Sequence, residues 1–301
     1  MQTTSTSTPS TGELVGRFTY GKAVLAFLLI FGIGMLGMAC FVLYLSTILP
    51  NLSDPAALTT RRGGTINFAS GALLIYCTSG FLALVGIGGL YSFFSQKKMR
   101  ENSFELYEQG IVRITPNERI YTPYTDIEDL YLFGSGKAAI SGLVTNVAYR
   151  RNASEPFIRI IEALKDFYDF QQMFRELYLN ARQPVVLDTL QAGGTVTFNY
   201  IDTAQLWKKR IIGNFLNIQT MPLLVNRDYL QVQGAQVPMS ALKHVNLNAW
   251  TEKVVITTES GKVAMSTVAT GILSHDLFLN TIALLLHPEA PVAVEPAAQL
   301  V

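Results

Sequence analysis

The chain has 301 residues, 49% of them apolar and only 15% charged, whereas soluble globular proteins carry roughly 25% charge. That deficit points to a membrane, and the first hundred residues hold seven of the basic side chains but only two acidic ones, Glu13 and Asp54. The remainder is mildly acidic, which argues against nucleic acid as a partner because phosphate binding needs clustered positive charge.

Residues 1–16 are mostly Ser, Thr, Gly and Pro and read as a disordered leader. A transmembrane hairpin is predicted over residues 17–100. Residues 23–49 contain no charge, and a second uncharged run covers 68–96, giving spans at about 23–49 and 70–94. A helix needs about 20 apolar residues to cross the hydrocarbon core, and both runs exceed that. The first run is too long for the apolar part of a cleaved signal. Cys40 and Cys77, the only cysteines, fall inside the spans and read as small apolar residues. The rest of the chain therefore has no disulfide framework and no Cys-based metal site.

Arg17, Lys22, Lys97, Lys98 and Arg100 flank the hairpin on its terminal side, against Arg61 and Arg62 in the loop. The positive-inside bias then places both termini in the cytoplasm and the hairpin in the cell (inner) membrane. Lys97, Lys98 and Arg100 would sit at the bilayer interface. Small residues let helix backbones approach closely in lipid, and Gly34 and Gly37 in the first span and Ser79, Ala83 and Gly88 in the second are the expected packing positions. Neither span contains an ionisable residue, the usual mark of a transport path.

Beyond Arg100 the pattern changes to short strands. Residues 103–107 and 111–115 flank Glu108-Gln109-Gly110, a turn sequence, and further strands are expected at 119–122, 127–133, 146–150 and 157–161. An amphipathic helix follows, with Asp166 as its cap and Phe167, Phe170, Phe174, Leu177, Tyr178 and Ala181 at helical spacing. The same order returns downstream. Residues 123–132 read PYTDIEDLYL and residues 238–247 read PMSALKHVNL, both fitting P-x-[ST]-x-[IL]-x-x-[LV]-x-L. Thr125 and Ser240 would form the turn, and the Ile/Leu position would point into the core. Strands at 223–225, 229–232, 254–258 and 262–266 surround the second motif. A final helix is expected over 275–287, capped by Ser274, and residues 288–301 read as a disordered tail.

This order resembles bacterial pleckstrin-homology-like domains, in which a small curved barrel is plugged by a C-terminal helix. The run from Leu106-Tyr107-Glu108-Gln109-Gly110-Ile111 to Tyr124-Thr125-Asp126-Ile127 is similar to membrane-anchored bacterial families of this type, with a second copy from Val225 to Leu247. The chain departs from them in an insertion at 201–218 and in lacking the Trp often found before the Ile/Leu position. The expected fold class is thus α+β: a two-helix transmembrane hairpin followed by PH-like domains at 101–183 and 184–287, each a small barrel or sandwich closed by a C-terminal helix. The resemblance implies binding or scaffolding and no reaction.

The residues themselves agree with that expectation. His244, His275 and His287 lack metal-ligand spacing. Asp126, Glu128 and Asp129 form an acidic cluster that alternates with Ile127 and Leu130 and is expected on a solvated face, not in a catalytic cleft. Gly193-Gly194 is not followed by Lys-Ser/Thr and reads as a turn. Within the insertion, Trp207, Lys208, Lys209 and Arg210 lie beside Leu206, Ile211, Ile212, Phe215 and Leu216, a composition suited to an interfacial helix, although packing on the second domain is the commoner use of such a segment. No cofactor or metal is expected. The anticipated partners are the lipid bilayer and a protein partner or a second copy of the chain. A transport- or channel-associated role with an oligomerising hairpin is the alternative.

Overall fold

The structure is a computed structural model. It describes residues 11–59, 63–134, 143–202, 205, 216, 218–248, 253–258, 260–261 and 263–286. The chain divides into two compact units, one built from the chain up to Phe18 and from Phe104 onward, the other from residues 19–103.

The second of these is the hairpin. Helix α1 (Ala23–Ile48) and helix α2 (Gly71–Arg100) are about 39 and 45 Å long at 1.5 Å per residue, more than the roughly 30 Å of a hydrocarbon core. They are long and apolar enough to cross a membrane. Most of their large apolar side chains point outward, Ile30, Leu84 and Tyr91 being more than 70% exposed. Ser70 caps α2, its Oγ accepting from Leu73 N. Lys97, Lys98 and Arg100 fill the last turn, where positive charge complements the helix dipole. Between the helices the strands Ala56–Thr59 and Thr65–Phe68 form a short antiparallel pair.

The other unit is a duplication. A strand β1 (Leu14–Thr19) precedes α1. It lies beside β4 (Ser103–Tyr107), which continues through β5 (Gly110–Ile114) to β6 (Arg119–Pro123) in a four-stranded sheet; β2 and β3 are the two strands of the hairpin loop. A three-stranded sheet follows, β7 (Asp129–Phe133), β8 (Asn146–Arg150) and β9 (Ile158–Ile161), and then helix α3 (Phe167–Gln191). The second copy repeats this plan. Its four-stranded sheet is β10 (Val196–Tyr200), β11 (Met221–Val225), β12 (Tyr229–Val232) and β13 (Ala235–Pro238). Its three-stranded sheet is β14 (Leu242–Asn248), β15 (Lys253–Thr258) and β16 (Val263–Val268), followed by helix α4 (His275–Leu286).

Local details repeat with the topology. Pro123 and Pro238 share nearly one backbone conformation and each opens a 3₁₀ turn, Tyr124–Asp126 and Met239–Ala241. Tyr124 N donates to Gln109 O, and Met239 N donates to Asp228 O. Asp166 and Ser274, each just before the closing helix, both have φ of 52°. Four residues on, Phe170 and Phe278 meet Phe18 and Phe198 edge to face, at 5.1 and 5.3 Å. Those partners belong to the related runs Phe18-Thr19-Tyr20 and Phe198-Asn199-Tyr200. In both copies an insertion follows this run before the next strand. In the first copy it contains the apolar hairpin; in the second it is residues 201–220.

Three expectations are revised. The leader ends earlier than residue 16, because Leu14–Thr19 is paired sheet and Phe18 belongs to the core. Helix α3 runs through Pro184 to Gln191, since Val186 and Leu190 continue its buried stripe. Neither Asp166 nor Ser274 caps through its side chain in the expected way: Asp166 makes no cap hydrogen bond, and Ser274 is engaged across the duplication.

Candidate functional site

The two copies meet through one face of the β7–β9 sheet. In register, Asp129 stands opposite Arg150, Tyr131 opposite Ala148 and Phe133 opposite Asn146. Side chains alternate along a strand, so Asp129, Tyr131 and Phe133 share a face, while Leu130 and Tyr149 point to the first copy's own core. Tyr131, Phe133 and Ala148 pack with Ile201 and Leu273 of the second copy. The sheet is buried on both sides.

At the edge of this apolar contact lies an ion pair. Arg150 Nε donates to Asp129 Oδ2 at 2.6 Å, with side-chain exposures of 6% and 1%. Asn199 Nδ2 donates to the other carboxylate oxygen at 2.9 Å, and Arg150 also reaches Ala153 O and Thr220 Oγ1. The guanidinium lies 4.4 Å from the centre of the Phe157 ring. Burying two charges is unfavourable unless their hydrogen-bonding capacity is filled, and beyond the ion pair itself Asn199, Ala153 and Thr220 fill much of it. The expected solvated position of Asp129 is therefore wrong: the second copy covers the face that a single domain would leave to water. Asp126 is exposed, and the Glu128 carboxyl is pushed up by burial and by neighbouring Asp129.

Ser274 makes the second link. Its Oγ accepts from Leu130 N at 3.0 Å and from the Tyr178 hydroxyl at 2.7 Å and donates to Glu128 O, while its own N–H donates to Leu130 O. Burial raises the Tyr178 hydroxyl pKa to about 12, against a smaller lowering by the Ser274 hydrogen bond. Between α3 and α4, Arg175 makes a two-pronged contact with Asp276, Nε to Oδ2 at 2.8 Å and Nη2 to Oδ1 at 2.9 Å. Burial alone would raise the Asp276 carboxyl. Hydrogen bonds from His275 and Arg175 outweigh it and hold the carboxyl well below the usual range.

Each copy bears a cleft. A cavity of about 570 Å³ in the first copy lies beside α3, lined by Glu108, Gln109, Tyr121, Pro123, Thr125 and Asn180 among others. A smaller one lies in the second copy between β10, the β12–β13 turn and β16.

The hairpin contact uses other small residues than most of those expected. Gly32 and Ala39 of α1 and Ser79, Gly86 and Gly89 of α2 are buried, and Ser79 Oγ donates to Ala39 O at 2.9 Å. A Cβ added at Gly86 would lie 2.8 Å from Leu36 Cγ and 3.0 Å from Gly32 O. At Gly34, Gly37 or Gly88 it would meet nothing within 4 Å, so these three lie outside the contact, and Ala83 is half-buried. Arg100 Nη1 donates to Gly21 O, and Lys97 approaches Glu101 at 3.9 Å; Lys98 lies in the last turn of α2. Cys40 and Cys77 are free thiols on the outer surface of the hairpin. Trp207, Lys208, Lys209, Arg210 and His287 lie outside the described residues, as does the His244 side chain. Gly193-Gly194 is a turn, Gly193 having φ of 76°, and both carbonyls accept from Asn226 Nδ2.

Among the described residues, no group of three or more His, Cys, Asp or Glu is placed to hold a metal ion. No protein-family model matches the chain, and no curated protein matches it.

Proposed function

We propose that this chain is an integral protein of the cell membrane whose hairpin anchors tandem PH-like domains on the cytoplasmic side, where they serve as a non-catalytic adaptor for a protein or a lipid headgroup. The observation that carries this reading is the duplication itself. Each copy has four strands, a 3₁₀ turn, three strands and a closing helix, and the first copy accommodates two bilayer-length apolar helices between its first two strands. Four plus three strands closed by a helix is the plan of a PH-like domain. Exposed apolar surface on the scale of α1 and α2 is the signature of lipid contact rather than of an aqueous face.

The anchoring is tested by alkaline carbonate extraction, which should leave the protein in the membrane pellet, and by a reporter fused after Val301, which should be active only on the cytoplasmic side. Cross-linking in native membranes followed by purification should recover a stoichiometric partner. A reporter on the outer side, or release by carbonate, would overturn the proposal.

A further inference from the structure

The strand pair between α1 and α2 is two-faced. Ala56 stands opposite Phe68 and Leu58 opposite Ile66, and alternate residues of a strand share a face. One face of β2–β3 is therefore Ala56, Leu58, Ile66 and Phe68, wholly apolar, and the other carries Thr59, Thr65 and Asn67 beside Ala57. An isolated two-stranded pair is marginal in water and needs its apolar face covered. Leu58 and Ile66 are nevertheless 46% and 57% exposed, so the chain itself leaves much of that face open.

The base of the pair is fixed to the start of α2. Gly71 N donates to Asp54 O at 2.9 Å and Ala72 N to Leu52 O at 3.0 Å, while Leu73 N donates to Ser70 Oγ. The first N–H groups of a helix have no partner within it, and here the segment leading into β2 and the cap residue satisfy them. At the end of α1 the Ser46 and Thr47 hydroxyls donate back to Leu43 O and Tyr44 O. Polar groups already paired within the protein leave bulk water at little cost. Only Ala69 and Ser70 separate β3 from α2, so the apolar face of the pair adjoins in sequence the outward apolar surface of the helix ends, Ile48, Leu49 and Leu73. Asp54 is exposed, and a charge at that point keeps the pair out of the hydrocarbon. We propose that β2–β3 is a lipid-binding element lying flat on the bilayer at the loop end of the hairpin. Ala56, Leu58, Ile66 and Phe68 enter the boundary between headgroups and acyl chains, and Thr59, Thr65 and Asn67 face water. This rests on the reading of α1 and α2 as membrane spans and adds an interfacial contact to them.

The test uses the full chain, with Cys40→Ala and Cys77→Ala, reconstituted in vesicles of phosphatidylcholine and phosphatidylglycerol. Nitroxide labels are placed singly through Leu58→Cys, Thr59→Cys, Ile66→Cys, Asn67→Cys and, within α1, Ile30→Cys. Spin-resonance measurements compare collision with oxygen, which concentrates in the bilayer, and with a water-soluble nickel chelate. The expected result is a several-fold higher oxygen-to-nickel ratio at 58 and 66 than at 59 and 67, with the label at 30 reached by oxygen alone. Labels at the directly opposed Thr59 and Thr65 should broaden each other's spectra, which reports that the strands are paired in the variants. If 58 and 66 meet the nickel chelate as freely as 59 and 67 while 30 is shielded, the interfacial contact is overturned and the anchoring stands. Nickel access at 30 overturns both. Shielding of all four loop labels, or no broadening between 59 and 65, overturns the flat, paired arrangement.

Discussion

Asp129 and Arg150 form a buried pair to which both copies contribute hydrogen-bonding partners. Each charge has its counter-ion, and the second copy supplies Asn199 and Thr220 to the same network. Removing one member leaves the other buried and uncompensated, so Arg150→Met should cost about 3–5 kcal/mol. Adding Asp129→Leu should recover a substantial part of that loss, because two apolar residues replace the pair. Urea unfolding of the wild type and the two variants measures both effects, and equal stability of the single and double variants would refute the account. Asp276 gives a pH dependence with a definite sign. Its folded pKa lies below its unfolded value of about 3.9, so the stability it contributes is fully present above that value and is lost as pH falls toward the folded pKa. Between pH 6 and pH 3 the wild type should lose more stability than Asp276→Asn.

Among the elements, the two hairpin helices depend on close backbone approach at a few positions only. Gly86 faces Gly32 and Leu36, and any side chain there must displace one of them. Gly86→Val should therefore destabilise the hairpin by about 1–3 kcal/mol, the usual range for overpacking. Gly34→Val and Gly88→Val should leave it unchanged, since their Cβ positions are open. Thermal unfolding in detergent followed by circular dichroism distinguishes the two classes. Helix α3 makes a related point. The apolar spacing of Phe167, Phe170, Phe174 and Tyr178 predicts its first three turns, but Pro184 suggests an end that tertiary burial of Val186 and Leu190 overrides. Proline removes one backbone donor and strains one turn; two more buried side chains on the same face outweigh that.

For the whole molecule, the decisive feature is that β1 and the rest of its sheet are separated in sequence by the entire hairpin. Phe18 on β1 packs against Phe170 on α3, and Glu108 N donates to Glu13 O beyond the end of the strand. A fragment of residues 101–301 therefore lacks one strand of its first sheet and should aggregate or unfold at lower temperature. Joining residues 11–20 to residue 101 through a short Gly/Ser linker should restore a monomeric, cooperatively folding protein, as judged by size-exclusion chromatography and thermal unfolding. By itself the sequence determined the two long apolar helices, the change to strands after Arg100, the repeated Pro-x-[ST] motif and the two closing helices. Those are local signals, set by the length of an apolar run or the period of a short pattern. Only the tertiary structure decided that β1 belongs to the first copy and that Asp129 is buried. The same holds for Ser274 tying the copies together. Each of these depends on which distant segment covers a given face, and a strand carries the same alternation whether water or another sheet lies against it.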